Sequence, residues 1–541
     1  GTATGLAAVG GVCGVCGENA TGCSITNCYN TGDVTGTGTA GNVGGICGLL
    51  AIGALSDCGN TGAVSGTCYI GGIAGLNGGT ISSAYNTGTV SGTYYIGGIA
   101  GLNGGTVTNA YNTGVVTGSS NQVGGIAGLN ESSAVITNAY YLADCAKDGD
   151  GTVQYGIGNA TQGSTTADVA GSTTAKTAAQ FASGEVCWLL NGSASTGVWK
   201  QNIDNGVTPY DASPNFTGAA VYYGYTAYDT NGFGSTMGYS NTALAESLYQ
   251  PAALNDNSTA DDATDDYYEI ANAGQLYWFA EKVNQTDGSG RGLNGKLTAD
   301  ITVNTGDVSG CGGTKAGGWR DWTPINSYSG IFDGCGKTIS GLYLSSDIGV
   351  ALFGYGMFGT VKNLTLTNSY FSGGEGTGGI CGISQGTIQN CVNEATVVTG
   401  TDIFHAGGIC GRNQGGTISG CTNRGSVTSL GLYVGGICGT SEKGTDSVGT
   451  VENCTNSGTV TGSYVVGGIC GSSENSGNIT NCYNTGDVVG TGTDGYVGGI
   501  CGLLGSGALS SCCNTGAVSG TCSIGGIAGL NGGTISSAYN T

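Results

Sequence analysis

The apolar residues of this chain fall in short runs rather than at helical spacing. Pieces such as "YIGGIA" at Tyr69–Ala74, "GTISSAY" at Gly79–Tyr85 and "GTVSG" at Gly88–Gly92 are each long enough for one strand, and Gly and Asn, which tolerate left-handed turns, separate them. Aligned on G-G-[IV]-[CA]-G, the chain shows eleven copies, beginning at Gly10, Gly44, Gly71, Gly97, Gly124, Gly378, Gly407, Gly435, Gly467, Gly498 and Gly525, most of them 26 to 32 residues apart. Each copy runs on through a short loop into I/V-x-[NSG]-[CA] and then N-x-G-x-V-x-G. A unit this short cannot bury its own apolar face and must stack on its neighbours. The pattern therefore predicts an all-β fold, a parallel β-helix (β-solenoid) with about one repeat per coil, each of three strands. Stacking at about 4.8 Å would line up Ile73, Ile99 and Ile126 in one core column. A β-propeller needs four strands and about 40 residues per blade, more than these repeats supply.

A longer period overlies the short one. Ile25–Thr87 and Ile479–Thr541 align without a gap, 454 residues apart, and differ at eight positions. Natural solenoids protect their unpaired ends, so the chain is expected to be a window on a longer protein built of such modules, or a link in a fibre. The expected organisation is 1–145 as the C-terminal part of a first solenoid, 146–200 as a helical cap, 201–255 as a Tyr/Gly-rich inter-module region, 256–266 as an acidic linker, 267–300 as an N-terminal capping helix with the first strand, and 301–541 as a second solenoid. Two stretches carry helical spacing. In "TTAKTAAQFASGEVCWLLNG", Ala179, Phe181 or Ala182, Val186 and Leu189 or Leu190 line one face, Gly192 ends it, and the helix would plug the first solenoid. In "YEIANAGQLYWFAEKVNQ", Ile270, Leu276, Phe279, Ala280 and Val283 would cap the second, just before the strand-like "GKLTADITV". Tyr222 to Tyr249 reads as strands that pack the modules together.

The cysteines covary. Cys13 accompanies Cys28, Cys47 accompanies Cys58, Cys381 accompanies Cys391, Cys410 accompanies Cys421, Cys438 accompanies Cys454, Cys470 accompanies Cys482, and Cys501 accompanies Cys512. Where the first position is alanine, at Ala74, Ala100, Ala127 and Ala528, so is the second, at Ala84, Ala110, Ala139 and Ala538. A disulfide inside each coil would explain the agreement, because half a bridge leaves a reactive thiol while Ala-Ala is a quiet substitute; the plainer alternative is a ladder of buried thiols acting as small apolar fillers. Proximity alone suggests Cys16 with Cys23, Cys145 with Cys187, Cys311 with Cys335 and Cys513 with Cys522, leaving Cys68 over.

Composition narrows the function classes. Glycine occupies 112 of 541 positions, without a three-residue period and with only four prolines, so the chain is turn-dense rather than collagen-like. A net charge of -22, with no Lys or Arg before Lys147, argues against nucleic acid as a partner. No apolar run approaches the roughly 18 residues of a spanning helix, so no membrane insertion is expected of this segment. The 23 cysteines lack metal-site spacing; "CGVC" at Cys13–Cys16 is the one CxxC, and its setting in a glycine-rich repeat favours a structural role.

Catalytic groups do not converge in the sequence. His405 is the only histidine and reads as an ordinary loop residue in "GTDIFHAGG", no second histidine exists to serve a triad, and the coil acids Asp33, Asp57, Glu131, Glu375, Glu394, Glu452 and Asp487 do not recur in register. No catalytic, cofactor or metal residues are assigned, and no cofactor is expected. Partial calcium-loop patterns at Lys147–Val153 and Asp229–Gly234, and the aspartates of 256–266, read first as turns and a solvated linker, with weak calcium binding as the sharper alternative. Recurrent Ser and Thr read as strand surface, with ice or glycan contact as the alternative. Tyr29, Tyr85, Tyr111, Tyr140, Tyr483 and Tyr539 read as a packing ladder rather than a sugar-binding stripe.

The repeat "GGIAGLNGGTISSAYNTGTVSG" resembles the GLUG motif of bacterial cell-surface and secreted proteins, including parts of some immunoglobulin-A peptidases. The stretch "YEIANAGQLYWFAEKVN…LTADITV…WTPI…YSGIFDGCGKTISGLYL…VKNLTL" is similar to the start of β-helix regions in large surface proteins of gut anaerobes. Together these cover most of the chain outside about 210–266. No peptidase residues carry over, since neither H-E-x-x-H nor a serine-protease motif is present. The resemblance implies an extracellular or bacterial cell-surface protein with a scaffold or adhesive role. The expected function is thus a non-catalytic structural or adhesive segment of a fibre or surface stalk, associating end to end and contacting host or microbial glycans. A polysaccharide-active enzyme or glycan-binding module is the alternative, with ice binding a distant third.

Overall fold

The computed structural model describes residues 1–18, 22–120, 122–158, 172–204, 211–225, 227–256, 266–401, 404–521 and 523–541. Most of the acidic linker, and Cys522 with its suggested bridge to Cys513, lie outside these residues. The chain forms two units, one of Gly1–Thr226 with Thr236–Glu246 and one of Ala227–Ser235 with Ser247–Thr541. Each is a parallel β-solenoid.

A representative coil of the first unit holds four strands, Tyr94–Gly97, Ala100–Asn103, Thr106–Asn112 and Val116–Gly118. Each stacks in parallel on its counterpart one coil away. On the first sheet Ile70, Ile96 and Val123 are in register, on the second Ala74, Ala100 and Ala127, on the third Ile81, Val107 and Ile136, and on the fourth Val64, Val90 and Val116. The sequence suggests three strands per coil; the fourth exists because the Gly-Gly pair turns a corner inside "YIGGIA". At that corner Ile46 and Cys47 are both fully buried, as are Ile73, Ile99 and Ile126. Burial of each such Ile or Val contributes roughly 1.5–3 kcal/mol relative to leaving it exposed.

The second glycine of the pair is required for space. A Cβ on Gly98 would run into the Asn112 side chain and the Gly125 carbonyl, and one on Gly468 into Asn484 and the Gly499 carbonyl. The asparagine in that space belongs to N-x-G. Its amide donates to the carbonyl two residues on and to the amide oxygen of the same residue in the next coil. Asn30, Asn60, Asn86 and Asn112 are linked in this way at 2.7–2.8 Å in the first unit. Asn393, Asn423, Asn456, Asn484, Asn514 and Asn540 are linked at 2.7–2.9 Å in the second. These asparagines are core residues satisfied internally, not turn residues as the sequence suggests.

The left-handed positions lie elsewhere, one residue before the Cys or Ala of the third sheet. Asn27, Asp57, Ser83, Asn109 and Asn138 have φ between 49° and 54°. One such residue breaks strand alternation, so Ile81, Ala84 and Asn86 all face inward. This explains the small or amide residues at the third place of I/V-x-[NSG]-[CA].

The helical stretch of the first unit is two helices, α1 (Ala178–Ala182) and α2 (Glu185–Leu190), because Gly184 adopts φ 88° between them. Thr177 and Gln180 cap α1 reciprocally. The helices do not act as an end plug; Phe181, Val186, Cys187 and Leu190 pack with Tyr111 and Tyr140, which project from the outer face of the third sheet. Tyr222–Tyr225 pairs antiparallel with Met237–Ser240 inside this same unit, and Tyr223 lies against Trp188 of α2.

In the second unit the strand Tyr267–Ile270 leads into α3 (Ala273–Val283), whose N-cap Asn272 accepts from the Gln275 N–H at 2.9 Å. Leu276, Phe279, Ala280 and Val283 of α3 enter one core with Ile270, Phe332 and Phe353. After these aromatic coils the core narrows to Ile, Val and Cys columns that repeat the four-sheet plan.

Candidate functional site

The coils from Gly407 to Ser473 carry an outward cluster of charged and polar side chains. On the second sheet Cys410 and Asn413 point inward while Arg412 and Gln414 point outward, in register with Thr440 and Glu442 of the next coil. Arg412 Nη2 lies 2.7 Å from Glu442 Oε1, its Nε donates to the same oxygen at 2.7 Å, and Nη1 lies 3.7 Å from Glu375. One half-buried guanidinium thus sits between two carboxylates. The sequence showed Glu375 as an isolated acid and gave no sign of Glu442; only parallel register brings both to Arg412. The step from Cys421 to Cys454 is longer than its neighbours, and the surplus forms a loop closed by an antiparallel bridge between Lys443 and Val448. Gln385, Arg412, Gln414, Glu442, Lys443 and the loop line a polar cleft of about 430 Å³. Guanidinium, amide and carboxylate groups at such a surface match the hydroxyls of a sugar.

His405 is not a loop residue but begins the strand His405–Gly407 of the first sheet. Its ring stacks on Tyr433 with centroids 5.5 Å apart, and Nδ1 lies 2.8 Å from Thr440 Oγ1. Burial, and next the charge on Arg412, depress its pKa to about 3. It is therefore a neutral packing residue at pH 7.

Three other coil acids serve the coil framework. Glu394 pairs with Arg424 at 2.8 Å, and Asp33 and Asp487 accept the N–H of Ala63 and Ala517 at 3.1 and 3.2 Å. The two calcium-like loops close on themselves. Asp148 accepts from the N–H groups of Asp150 and Thr152 and from Gln154, and Asp229 from those of Asn231 and Phe233.

The two cysteine positions of each coil form two columns in the core, one on the second sheet and one beside the third. Cys381, Cys410, Cys438, Cys470 and Cys501 are in register on the first column, and Cys391, Cys421, Cys454, Cys482 and Cys512 are fully buried on the other. In place of bonds within a coil, Cys13, Cys28, Cys47, Cys58 and these ten are free thiols in this structure. Their sulfur contacts run between coils, as from Cys410 to Cys381 and Cys438, because stacking places identical residues next to each other. Burial, with the neighbouring Cys13 thiol second, pushes the Cys47 thiol up to about 12. Cys16 and Cys23 form a disulfide. Cys145 lies in the coil core beside the Asn112 amide, whereas Cys187 lies in α2 against Tyr111. Cys335 is exposed next to Asp333, whereas Cys311 packs on Tyr343 and Tyr370. Neither of those two suggested pairs is brought together.

The tyrosines form a column on the outer face of the third sheet. Tyr85, Tyr111 and Tyr140 are in register, and Tyr29 is in register with Gly59 below Tyr85. Residues 173–204 and 211–221 cross this column as a strap. Trp199 is fully buried, 5.5 Å from Tyr111 and 4.6 Å from Phe216, and Phe216 reaches Tyr85 at 5.6 Å and Tyr29 at 6.3 Å. Tyr111 donates to the Pro214 carbonyl. The tyrosines are thus a packing platform for chain that follows the coils.

Three comparisons bear on this geometry. The family model of the GLUG motif matches residues 404–428, 431–461 and 462–489, the coils that carry His405, Arg412 and Glu442. Halomucin of Haloquadratum walsbyi is 39% identical over 100 residues, a match covering 18% of this chain and 1% of that protein. A crystal structure of a candidate immunoglobulin A1 protease from Bacteroides ovatus aligns over 50% of this chain and 74% of its own at 24% identity and a TM-score of 0.35, too distant to bear on activity. The chain is therefore a parallel β-solenoid that carries GLUG-motif repeats.

Proposed function

We propose that this chain is a non-catalytic structural and adhesive segment of an extracellular bacterial fibre or surface stalk, built from tandem β-solenoid modules whose coils are fastened by sulfur pairs when oxidised. The observation that supports it is the reuse of one coil sequence 454 residues further on, both copies being wound in the same parallel register. Because each coil contacts only its neighbours, such a sequence extends a rod without altering it. The similarity to halomucin over one stretch favours a secreted or surface setting. Oxidised pairs would lower the intact mass of unreduced protein by about 2 Da each, and a non-reduced peptide map would tell pairs within a coil from pairs between coils.

A second reading, glycan binding or turnover at the polar cleft, is favoured by Glu375 and Glu442 on either side of Arg412. Incubating the full chain with a polysaccharide panel separates the two. The structural reading expects retention without release of reducing ends, with Arg412→Ala weakening retention. Turnover abolished by Glu375→Gln or Glu442→Gln would refute it.

A further inference from the structure

Two aromatic rings stand in the open beside the polar cleft. Tyr355 and Phe358 are 58% and 54% exposed, although Phe353 and Met357 of the same stretch are buried. Gly356 adopts φ 71° between them, a left-handed turn that keeps Met357 in the core and leaves both flanking rings outside. Hydrogen bonds fix the backbone that carries them. The C-cap residue of α3, Asn284, accepts the Asn326 N–H on its Oδ1 at 2.8 Å, Asn326 Oδ1 accepts the Tyr355 N–H at 2.9 Å, and the Phe358 N–H donates to the Tyr328 carbonyl at 2.7 Å. A platform held in place beforehand avoids part of the ordering cost of binding.

Parallel register joins these rings to the cleft. Met357 pairs with Ser384, Ser384 with Asn413, and Asn413 with Ser441. The residues that follow them, Phe358, Gln385, Gln414 and Glu442, therefore form one outward column with one member per coil. At about 4.8 Å per coil it runs about 14 Å. On the other side of the rings Gln285, Arg291, Asn326 and Ser327 help to line a second polar cleft, of about 240 Å³. An aromatic platform flanked by hydrogen-bonding groups thus lies along the axis of the second unit.

These groups select a ligand. An aromatic face receives the apolar C–H face of a pyranose ring with equatorial hydroxyls, while amide, guanidinium and carboxylate groups receive the hydroxyls at its edge. Arg412 is already shared between Glu375 and Glu442, so an acidic polymer would meet two carboxylates without a free guanidinium to offset them. Equatorial linkages keep successive rings in one extended ribbon, which a straight column can follow.

We infer that this strip binds an unbranched neutral polysaccharide of β-linked pyranose rings, laid along the solenoid axis with a ring on Tyr355 and Phe358 and its neighbours on Gln385, Gln414 and Glu442. The inference rests on the glycan reading given above and deepens it, adding the platform and the ligand class.

The test is calorimetric titration of the intact chain with β-1,4-linked oligomers of glucose, xylose and N-acetylglucosamine, two and six rings long, with the α-1,4-linked glucose hexamer as control. At least one β-linked hexamer should bind saturably, at least tenfold tighter than its dimer and than the α-linked control. The Tyr355→Ala/Phe358→Ala double variant should weaken that binding at least tenfold with an unchanged circular dichroism spectrum, since both rings are exposed; Phe358→Tyr, which keeps the ring, should bind as the unaltered chain does. Binding that Arg412→Ala weakens but the double variant does not, or that is equal for dimer and hexamer, would overturn the inference and leave the glycan reading standing. Equal binding of the α-linked hexamer would overturn the ligand class. No binding of any oligomer would remove the glycan reading and the inference together.

Discussion

Asn456→Ala probes the amide ladder at an interior rung. Asn456 is fully buried and makes three hydrogen bonds: it accepts from Asn423 at 2.8 Å and donates to the Gly458 carbonyl at 2.9 Å and to Asn484 at 2.8 Å. Truncation removes all three, and the buried Asn484 Oδ1 loses its donor, Asn456 Nδ2. At about 1 kcal/mol per bond plus about 1–2 kcal/mol for the stranded acceptor, the local cost is about 4 kcal/mol. Asn540→Ala is the control, because Asn540 is exposed and accepts only from Asn514, at 2.7 Å, among the ladder contacts; its cost should be about 1 kcal/mol. A long solenoid does not unfold in one step, so the readout is amide hydrogen exchange resolved to coils, not a global melt. Opening of the coils around Asn456 should accelerate by about a hundredfold or more in the interior variant and by less than about tenfold near Asn540 in the control. Equal effects at the two sites, or an interior effect below about threefold, would refute the ladder as a principal source of coil stability.

Three further outcomes follow from the same geometry. Gly468→Ala sets a methyl against Asn484 and the Gly499 carbonyl and should destabilise its coil by about 1–3 kcal/mol, read by the same exchange measurement; a neutral result would mean the corner can widen. His405 is neutral when folded with a pKa of about 3, against an ordinary 6.5, so the unfolded chain binds the extra proton and stability falls as pH drops from about 6.5 toward 3. That loss, on the order of 3 kcal/mol by pH 4, should be absent in His405→Phe when urea midpoints of the second unit are compared at pH 7 and pH 4. Alkylation of the folded protein under reducing conditions should label exposed Cys335 and spare Cys47 and Cys58, whose thiols burial pushes up to about 12 and about 11; labelling of the latter pair at the Cys335 rate would show that the coils open.

The architecture was legible because its signal is periodic. Eleven G-G-[IV]-[CA]-G copies fix the coil, and the core-facing residues of α3 follow from their helical spacing. The fourth strand was not legible, since Gly-Gly inside an apolar run marks a corner only once the asparagine that fills it is known. Both halves of that contact, the second glycine and the N-x-G asparagine, recur together in the sequence, and their co-occurrence is the signal that could have revealed it. The Arg412 cluster was hidden for a different reason: Glu375, Arg412 and Glu442 are far apart along the chain, and only the stacking register unites them. The course of the strap was equally hidden, because α1 and α2 are amphipathic whichever apolar surface receives them.

The ladder asparagines keep their partners although the step from one to the next varies from 26 residues at Asn60–Asn86 to 33 at Asn423–Asn456. The difference is taken up at the corners, as in the loop that Lys443 and Val448 close, and chain added at a surface loop carries only a slowly growing entropic cost. Mutation can therefore rewrite those bends in length and chemistry while the frame beneath stays constant, which gives each solenoid a row of independently variable surface patches at fixed intervals.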